Sequence, residues 1–310
     1  MHEHIARTMY YFSVHLLFAS IVAAAAWALT STLRASATTK YWIWVVTALN
    51  FVVPSGALID KLWAPHLAWA RPLGVIGDPV WIMTQGRTAV ILGGIWTTGT
   101  LSMLGRLILR LRKERREAQA AIRASVRGVT VNFVADGFPV SFGDGHLSPA
   151  VRGVLYPHIL LPIGIDRLLN PREFDAVLLH ELAHARRRDN LIRLLYELSF
   201  CVLWFHPLIW LTGARIALYR ELSCDESVVR RARGRELVSA LAKLAVPEQP
   251  GILQATASSH LSYRLANLTA PVQPTYRSVS LLLSSLFAII MAAAIFQTIA
   301  HTACCFVLKR

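Results

Sequence analysis

Asn170-Pro171-Arg172-Glu173-Phe174-Asp175-Ala176-Val177-Leu178-Leu179-His180-Glu181-Leu182-Ala183-His184 is the stretch on which the reading of this chain turns. Asn170 suits an N-cap, Pro171 the first helical position and Glu173 the third, a combination that satisfies the free amides of a first turn. Phe174, Val177, Leu178 and Leu182 continue the helical apolar spacing, and Leu178, Leu179 and Leu182 would anchor the helix in a core. On such a helix His180 and His184, four residues apart, share a face and can reach one zinc ion. Glu181 then projects beside the metal, where it can take a proton from water. His180 and His184 are therefore candidate zinc ligands and Glu181 a candidate general base. The plainer alternative is a pair of satisfied core histidines.

A catalytic zinc needs three protein ligands and an open fourth position. The best supplier of the third is Arg220-Glu221-Leu222-Ser223-Cys224-Asp225-Glu226, within a helical stretch read as roughly 213–233. There Glu221 and Asp225 share a face at i and i+4. Glu221 as ligand leaves Asp225 to accept the outward N–H of a zinc-bound histidine, which fixes ring orientation and tautomer. Glu226, Asp189 and His206 are weaker substitutes, and a solvated charged face is the plain reading of the segment. Cys224 lies between Glu221 and Asp225, off their shared face, and reads as a buried thiol.

The 310 residues are 55% hydrophobic and only 16% charged, too apolar for an ordinary soluble protein. Four uncharged stretches are long enough to cross a hydrocarbon core: Thr8–Leu33, Tyr41–Ile59, Thr88–Gly105 and Val279–Ala300. The first runs too long, with too weakly basic a start, for a cleavable signal peptide. Arg106, Arg110, Arg112, Lys113, Arg115 and Arg116 follow the third span and mark that side as cytoplasmic. Alternation then places the N-terminus and the Asp60–Arg87 loop outside, and the region from about Arg106 to Arg277 inside. The expected location is a bacterial cytoplasmic membrane. A net charge of +14 often signals nucleic acid. Here the main cluster adjoins a span, so lipid is the expected partner and no nucleic-acid binding is expected. Arg186-Arg187-Arg188 and Arg230-Arg231 read as lipid-facing or solvated. Cys201 and Cys224 would be reduced in the cytoplasm, and adjacent Cys304 and Cys305 lack zinc-ligand spacing.

Within the cytoplasmic region, residues 107–124 read as a basic helix leaving the membrane. Strand-like segments follow at Val129–Ala135, Pro139–Phe142 and Val151–Leu161, punctuated by Gly and Asp turns. A small sheet ahead of the zinc helix could hold an extended peptide along its edge. Val154–Leu161 is the expected edge, because proline is tolerated there. Leu198–Leu211, with Trp204-Phe205-His206-Pro207, is apolar but short and broken, which suggests a buried or interfacial segment rather than a fifth span. Glu236–Ala245 reads as a further short helix.

His180 to Asn190 (His-Glu-Leu-Ala-His-Ala-Arg-Arg-Arg-Asp-Asn), Trp204-Phe205-His206-Pro207 and Arg220 to Glu226 together resemble the BlaR/MecR-type membrane metallopeptidases. Pro149 to Gly153 and Ile159-Leu160-Leu161-Pro162 resemble that family's approach to its zinc helix. The resemblance implies that His180, His184 and Glu221 bind zinc and that Glu181 is the general base. It also implies a mainly α membrane protein with four transmembrane helices. A cytoplasmic α+β gluzincin-like zinc protease domain would be inserted between the third and fourth, giving divisions at 1–105, 106–277 and 278–310. Best-known members carry a penicillin-binding sensor after the fourth span and act by proteolysis that relieves a cytoplasmic repressor. Only about ten residues follow that span here, so β-lactam recognition is not expected to carry over.

The leading functional expectation is a zinc endopeptidase that cleaves a cytoplasmic, repressor-like regulatory protein, with self-cleavage and homodimer formation left open. A non-enzymatic signalling scaffold is the main alternative, and the intact Glu181 weighs against it. A metal transporter would want its ligands inside a span, not on a helix flanked by Arg172 and Arg186.

Overall fold

The computed structural model describes residues 2–32, 35–52, 86–124, 133–143, 148–244 and 262–268. In chain order they form α1 (His2–Thr32), α2 (Ala37–Val52) and the long α3 (Gly86–Ala124). Four strands follow: β1 (Phe133–Ala135), β2 (Phe138–Gly143), β3 (Ala150–Arg152) and β4 (His158–Pro162). Then come α4 (Ile165–Leu168), α5 (Pro171–Arg187), α6 (Asp189–Val202), α7 (Pro207–Val229) and α8 (Gly234–Leu244). A last short helix, α9, spans 262–268. The described residues are thus mainly helical with one small sheet. They fall into two compact units, one containing the described residues through Leu104 together with Leu198–Arg215, the other Gly105–Glu197 with those from Ile216 onward.

In the first unit α1 and α2 pack through small residues. Ala19 and Ala23 of α1 meet Phe51 of α2, with Leu203 and Ile209 in the same buried cluster. Two polar pairs lie buried there: Trp44 Nε1 donates to Thr30 Oγ1 at 3.2 Å, and His15 Nε2 lies 3.0 Å from the Phe51 carbonyl. Exposed Val90, Ile91, Ile95 and Leu101 give the first half of α3 an apolar surface. Among the described residues one stretch, His15–Thr32, is long and apolar enough to cross a membrane by those criteria. It lies within the first expected span. The second expected span is described only as far as Val52, the third lies within α3, and the fourth, Val279–Ala300, lies outside the described residues. The Trp204-Phe205-His206-Pro207 element is a break between helices. α6 ends at Val202 and Pro207 starts α7, at a first-turn position where its missing N–H costs nothing. α7 consequently begins six residues before the stretch read as roughly 213–233 and ends at Val229.

The second unit carries the sheet, in the order β1-β2-β4-β3. β1/β2 and β3/β4 are antiparallel, while β2 and β4 run parallel with Val140 opposite Ile159. Val151–Leu161 is therefore two strands, not one. Gly153, at φ 87°, makes the turn between them, where a side chain would collide with the Tyr156 carbonyl. β4 is also an interior strand, which overturns the expectation that Val154–Leu161 is the edge. Pro157 escapes the usual penalty because it precedes the ladder, whose first paired residue is His158. The edge next to β4 is β3.

Val140, Ile159 and Leu161 of the sheet bury against Val177 and Leu182 of α5, with Ile165, Leu169 and Ala240 completing the cluster. Each such fully buried aliphatic side chain contributes about 1.5–3 kcal/mol. Ala176, on another face of α5, packs with Val228 of α7 and Leu237 of α8. α5 is thus clamped between sheet and helices. Its start has the expected form: Asn170 Oδ1 accepts from the Glu173 N–H and Glu173 Oε2 from the Asn170 N–H, each at 2.9 Å. Glu173 also accepts from Ser239 at 2.6 Å and Lys243 at 2.7 Å, linking α8 to this turn. Those hydrogen bonds, led by Lys243, lower its pKa to about 2 from 4.5.

A folded-state pKa below the unfolded one stabilises the fold above about pH 4.5 and ceases to do so as pH falls through about 2. Glu173→Gln is accordingly expected to lower the melting temperature at pH 7 by several degrees. The gap to wild type should narrow between pH 4.5 and 2, as thermal melts of the detergent-solubilised protein would show.

Candidate metal centre

α5 presents His180 and His184 on one face, and α7 brings Glu221 opposite them. His180 Nε2 and His184 Nε2 are 3.2 Å apart. Glu221 Oε2 is 3.6 Å from the first and 3.8 Å from the second. These three atoms form one of two groups of potential metal-ligating side chains among the described residues.

What surrounds each donor decides which of its atoms faces the centre. His184 Nδ1 lies 2.6 Å from Asp189 Oδ2, so its proton belongs on Nδ1 and the Nε2 lone pair points inward. Asp225 Oδ1 stands 3.0 Å from His180 Nδ1, somewhat off the ring's N–H direction, so that nitrogen has no straight hydrogen bond. Glu221 Oε1 accepts from Arg220 Nε and Nη2 at 3.1 and 3.0 Å, which leaves Oε2 to face the histidines. The two Nε2 atoms and Glu221 Oε2 therefore converge on one point, with the Arg264 guanidinium beside them. Donors about 2.0–2.2 Å from a tetrahedral ion stand roughly 3.3–3.6 Å apart. The donor set and its spacing fit a zinc ion.

The electrostatics agree. Burial opposes charge on His180, yet Asp225 and Glu221 overcome it and raise the pKa to about 9. Burial would likewise raise Glu221, but His184, His180 and Arg220 hold it well below the usual carboxylate range. Asp225 is lowered by His180 and Arg264 against its own burial. The site favours a positive charge at its centre.

Chain geometry explains how Asp189 gets behind His184. Five residues apart on one continuous helix, the two would not face each other. α5 instead ends at Arg188 in the left-handed conformation, φ 55°, and α6 starts at once with Asp189 in its first turn. Arg187 then grips Asp189 through Nε and Nη2, both at 2.6 Å, and also donates to the Arg220 carbonyl at 3.1 Å. Arg187 is therefore a half-buried support of the centre, which corrects its reading as lipid-facing or solvated. Arg186 pairs with Asp136. Cys224 is buried, as expected, with its sulfur 3.2 Å from Arg187 Nη2. Burial pushes its thiol pKa well up.

The weaker ligand candidates lie elsewhere. Asp189 sits behind His184, His206 lies 3.2 Å from Ser20 Oγ in the first unit, and Glu226 pairs with Arg230 at 3.2 Å. Glu181 is buried and lines a cavity of about 350 Å³ with His180, His184, Glu221 and Arg264. Ala150, Val151 and Arg152 of β3 form another part of its wall. Asn190 Nδ2 ties this strand to α6, donating to the Val151 and Gly153 carbonyls at 3.0 Å each. The sequence reading missed the arginines behind the ligands. Arg187 and Arg220 had a readable signal, each within two residues of the carboxylate it holds. Arg264 had none.

Curated relatives match part of this chain. The regulatory protein BlaR1 of Bacillus licheniformis is 40% identical over 83 residues, 27% of this chain and 14% of the relative. The methicillin resistance mecR1 protein of Staphylococcus aureus (strain Mu50 / ATCC 700699) is 25% identical over 100 residues, 32% of this chain and 17% of the relative. The aligned region is thus less than a fifth of each relative's length. Residues 76–268, which include every member of the centre, match the family described as BlaR1 peptidase M56. With a match over more than half its length, this chain belongs to the BlaR1 peptidase M56 family.

Proposed function

We propose that this protein is a membrane-embedded zinc endopeptidase that cuts a cytoplasmic regulatory protein and so transmits a signal. The observation that carries this reading is the convergence of His180 Nε2, His184 Nε2 and Glu221 Oε2 beside the buried Glu181. Family membership supports peptidase chemistry. The names of the relatives, a regulatory protein and a resistance protein, support a regulatory target.

In this reading His180, His184 and Glu221 hold the zinc. When bound, zinc polarises the scissile carbonyl and makes water a stronger acid. Glu181 takes the proton of the attacking water and delivers it to the departing amine, as a carboxylate at hydrogen-bonding distance can. Asp189 and Asp225 keep both rings turned so that Nε2 faces the centre. The substrate backbone lies extended along β3, the strand beside the cavity, where main-chain pairing would select an unfolded segment over a folded one. A signalling scaffold without catalysis has no use for Glu181.

The detergent-solubilised protein should contain zinc and cleave co-expressed repressor candidates, lose both properties on chelation, and regain them with added zinc. Cleavage that survives complete removal of metal would overturn the proposal. Its membrane arrangement is tested separately by single cysteines in a background free of native thiols. One near Gly77 should react with an impermeant reagent on intact cells, and one near Gly145 should not. The reverse pattern would put the peptidase outside.

A further inference from the structure

Each of the three ligands is backed by an arginine, directly for Glu221 and through a carboxylate for the two histidines. His184 rests on Asp189, gripped by Arg187, and Glu221 rests directly on Arg220. His180 rests on Asp225, and Arg264 grips Asp225 with a two-pronged fork: Nε donates to Oδ2 at 2.8 Å and Nη2 to Oδ1 at 2.7 Å. Arg187 and Arg220 belong to the helices that carry the ligands. Arg264 comes from α9, 39 residues beyond Asp225.

We propose that Arg264 is a positioning residue of the metal centre, acting through Asp225 on His180, and that α9 is a working part of the peptidase site. The inference rests on the zinc reading above. Asp225 is 4% exposed and Arg264 13%, so water offers little replacement for a lost partner. Oδ1 of Asp225 serves both His180 Nδ1 and Arg264 Nη2. The fork therefore fixes the oxygen that the imidazole depends on. This matters more here than at His184, because the His180 contact is longer and off the N–H direction, so the ring itself orients the carboxylate weakly. The same guanidinium also approaches two of the three converging atoms: Nη2 stands 3.5 Å from His180 Nε2 and Nη1 3.6 Å from Glu221 Oε2.

Charge alone would predict the opposite effect of losing Arg264. A guanidinium beside a dication repels it, so removal should tighten metal binding if electrostatics governed. The ion pair with Asp225 offsets that repulsion, and orientation is the remaining contribution. Asp225 freed of the fork can turn away from His180, leaving the ring without a fixed tautomer. Supports of this kind typically contribute 10–100-fold in metal affinity or activity.

The test uses the full-length, detergent-solubilised protein loaded with zinc or with cobalt(II) as a spectroscopic probe. Arg264→Ala should release metal to a competing chelator on the order of 10–100 times faster than wild type and alter the visible cobalt spectrum. Arg264→Lys keeps the charge but gives up the fork. It should fall between the two, and it carries the test should the alanine variant fail to fold. Unchanged release and an unchanged cobalt spectrum in folded Arg264 variants, with wild type holding metal, would overturn this role alone. A slower release from Arg264→Ala would also overturn it, as the signature of simple charge repulsion. If wild type takes up neither metal, the zinc reading itself falls and this inference with it.

Discussion

Alanine at His180, His184 or Glu221 is expected to strip the bound zinc and reduce peptide cleavage to background. Each substitution leaves the ion one protein ligand short, and structural or catalytic zinc held by two side chains is rarely retained. Nearby groups are poorly placed to compensate. Asp189 is turned toward the far nitrogen of His184, 2.6 Å away, and is gripped by Arg187. Asp225 is held by Arg264 on both oxygens. Zinc content by elemental analysis, with cleavage of a co-expressed repressor candidate, checks the expectation. Full zinc occupancy in Glu221→Ala would remove that residue from the ligand set.

Glu181→Gln should separate chemistry from metal binding. Its side chain is not among the converging donors, so zinc should stay at the wild-type level. The amide cannot accept the proton of the attacking water, and loss of a general base typically costs about 10²–10⁴-fold in rate. The single-turnover rate of cleavage, at matched zinc content, is the measurement. A rate within a few-fold of wild type would show that another group does this work. Loss of zinc along with activity would mean that Glu181 supports the centre structurally.

Local spacing carried much of this protein. The Asn170–Glu173 cap needed only its own four residues, because a capping box closes within one turn. The shared faces of His180 with His184 and of Glu221 with Asp225 follow from helical geometry wherever a helix forms. That is why the candidate donors could be named before any fold was known. Strand placement was less secure. Val151–Leu161 looked like one apolar run, but Gly153 turns it back on itself, and a run of residues does not record which neighbour each strand acquires. β4 consequently became interior and β3 the edge, a matter of pairing between distant segments.

The supports behind the ligands belong to tertiary structure. Asp189 reaches His184 only because Arg188 takes a left-handed conformation, and no residue type dictates that for an arginine. Arg187 read as lipid-facing or solvated, and only the packing of the helices puts it against Asp189. Arg264 meets Asp225 across 39 residues, a separation at which no helical or strand period applies. Sequence by itself determined which atoms can bind a metal, since that depends on residue chemistry and on contacts one turn apart. Only the fold decided what fixes those atoms in place, because burial and long-range ion pairing arise when remote segments exclude water together.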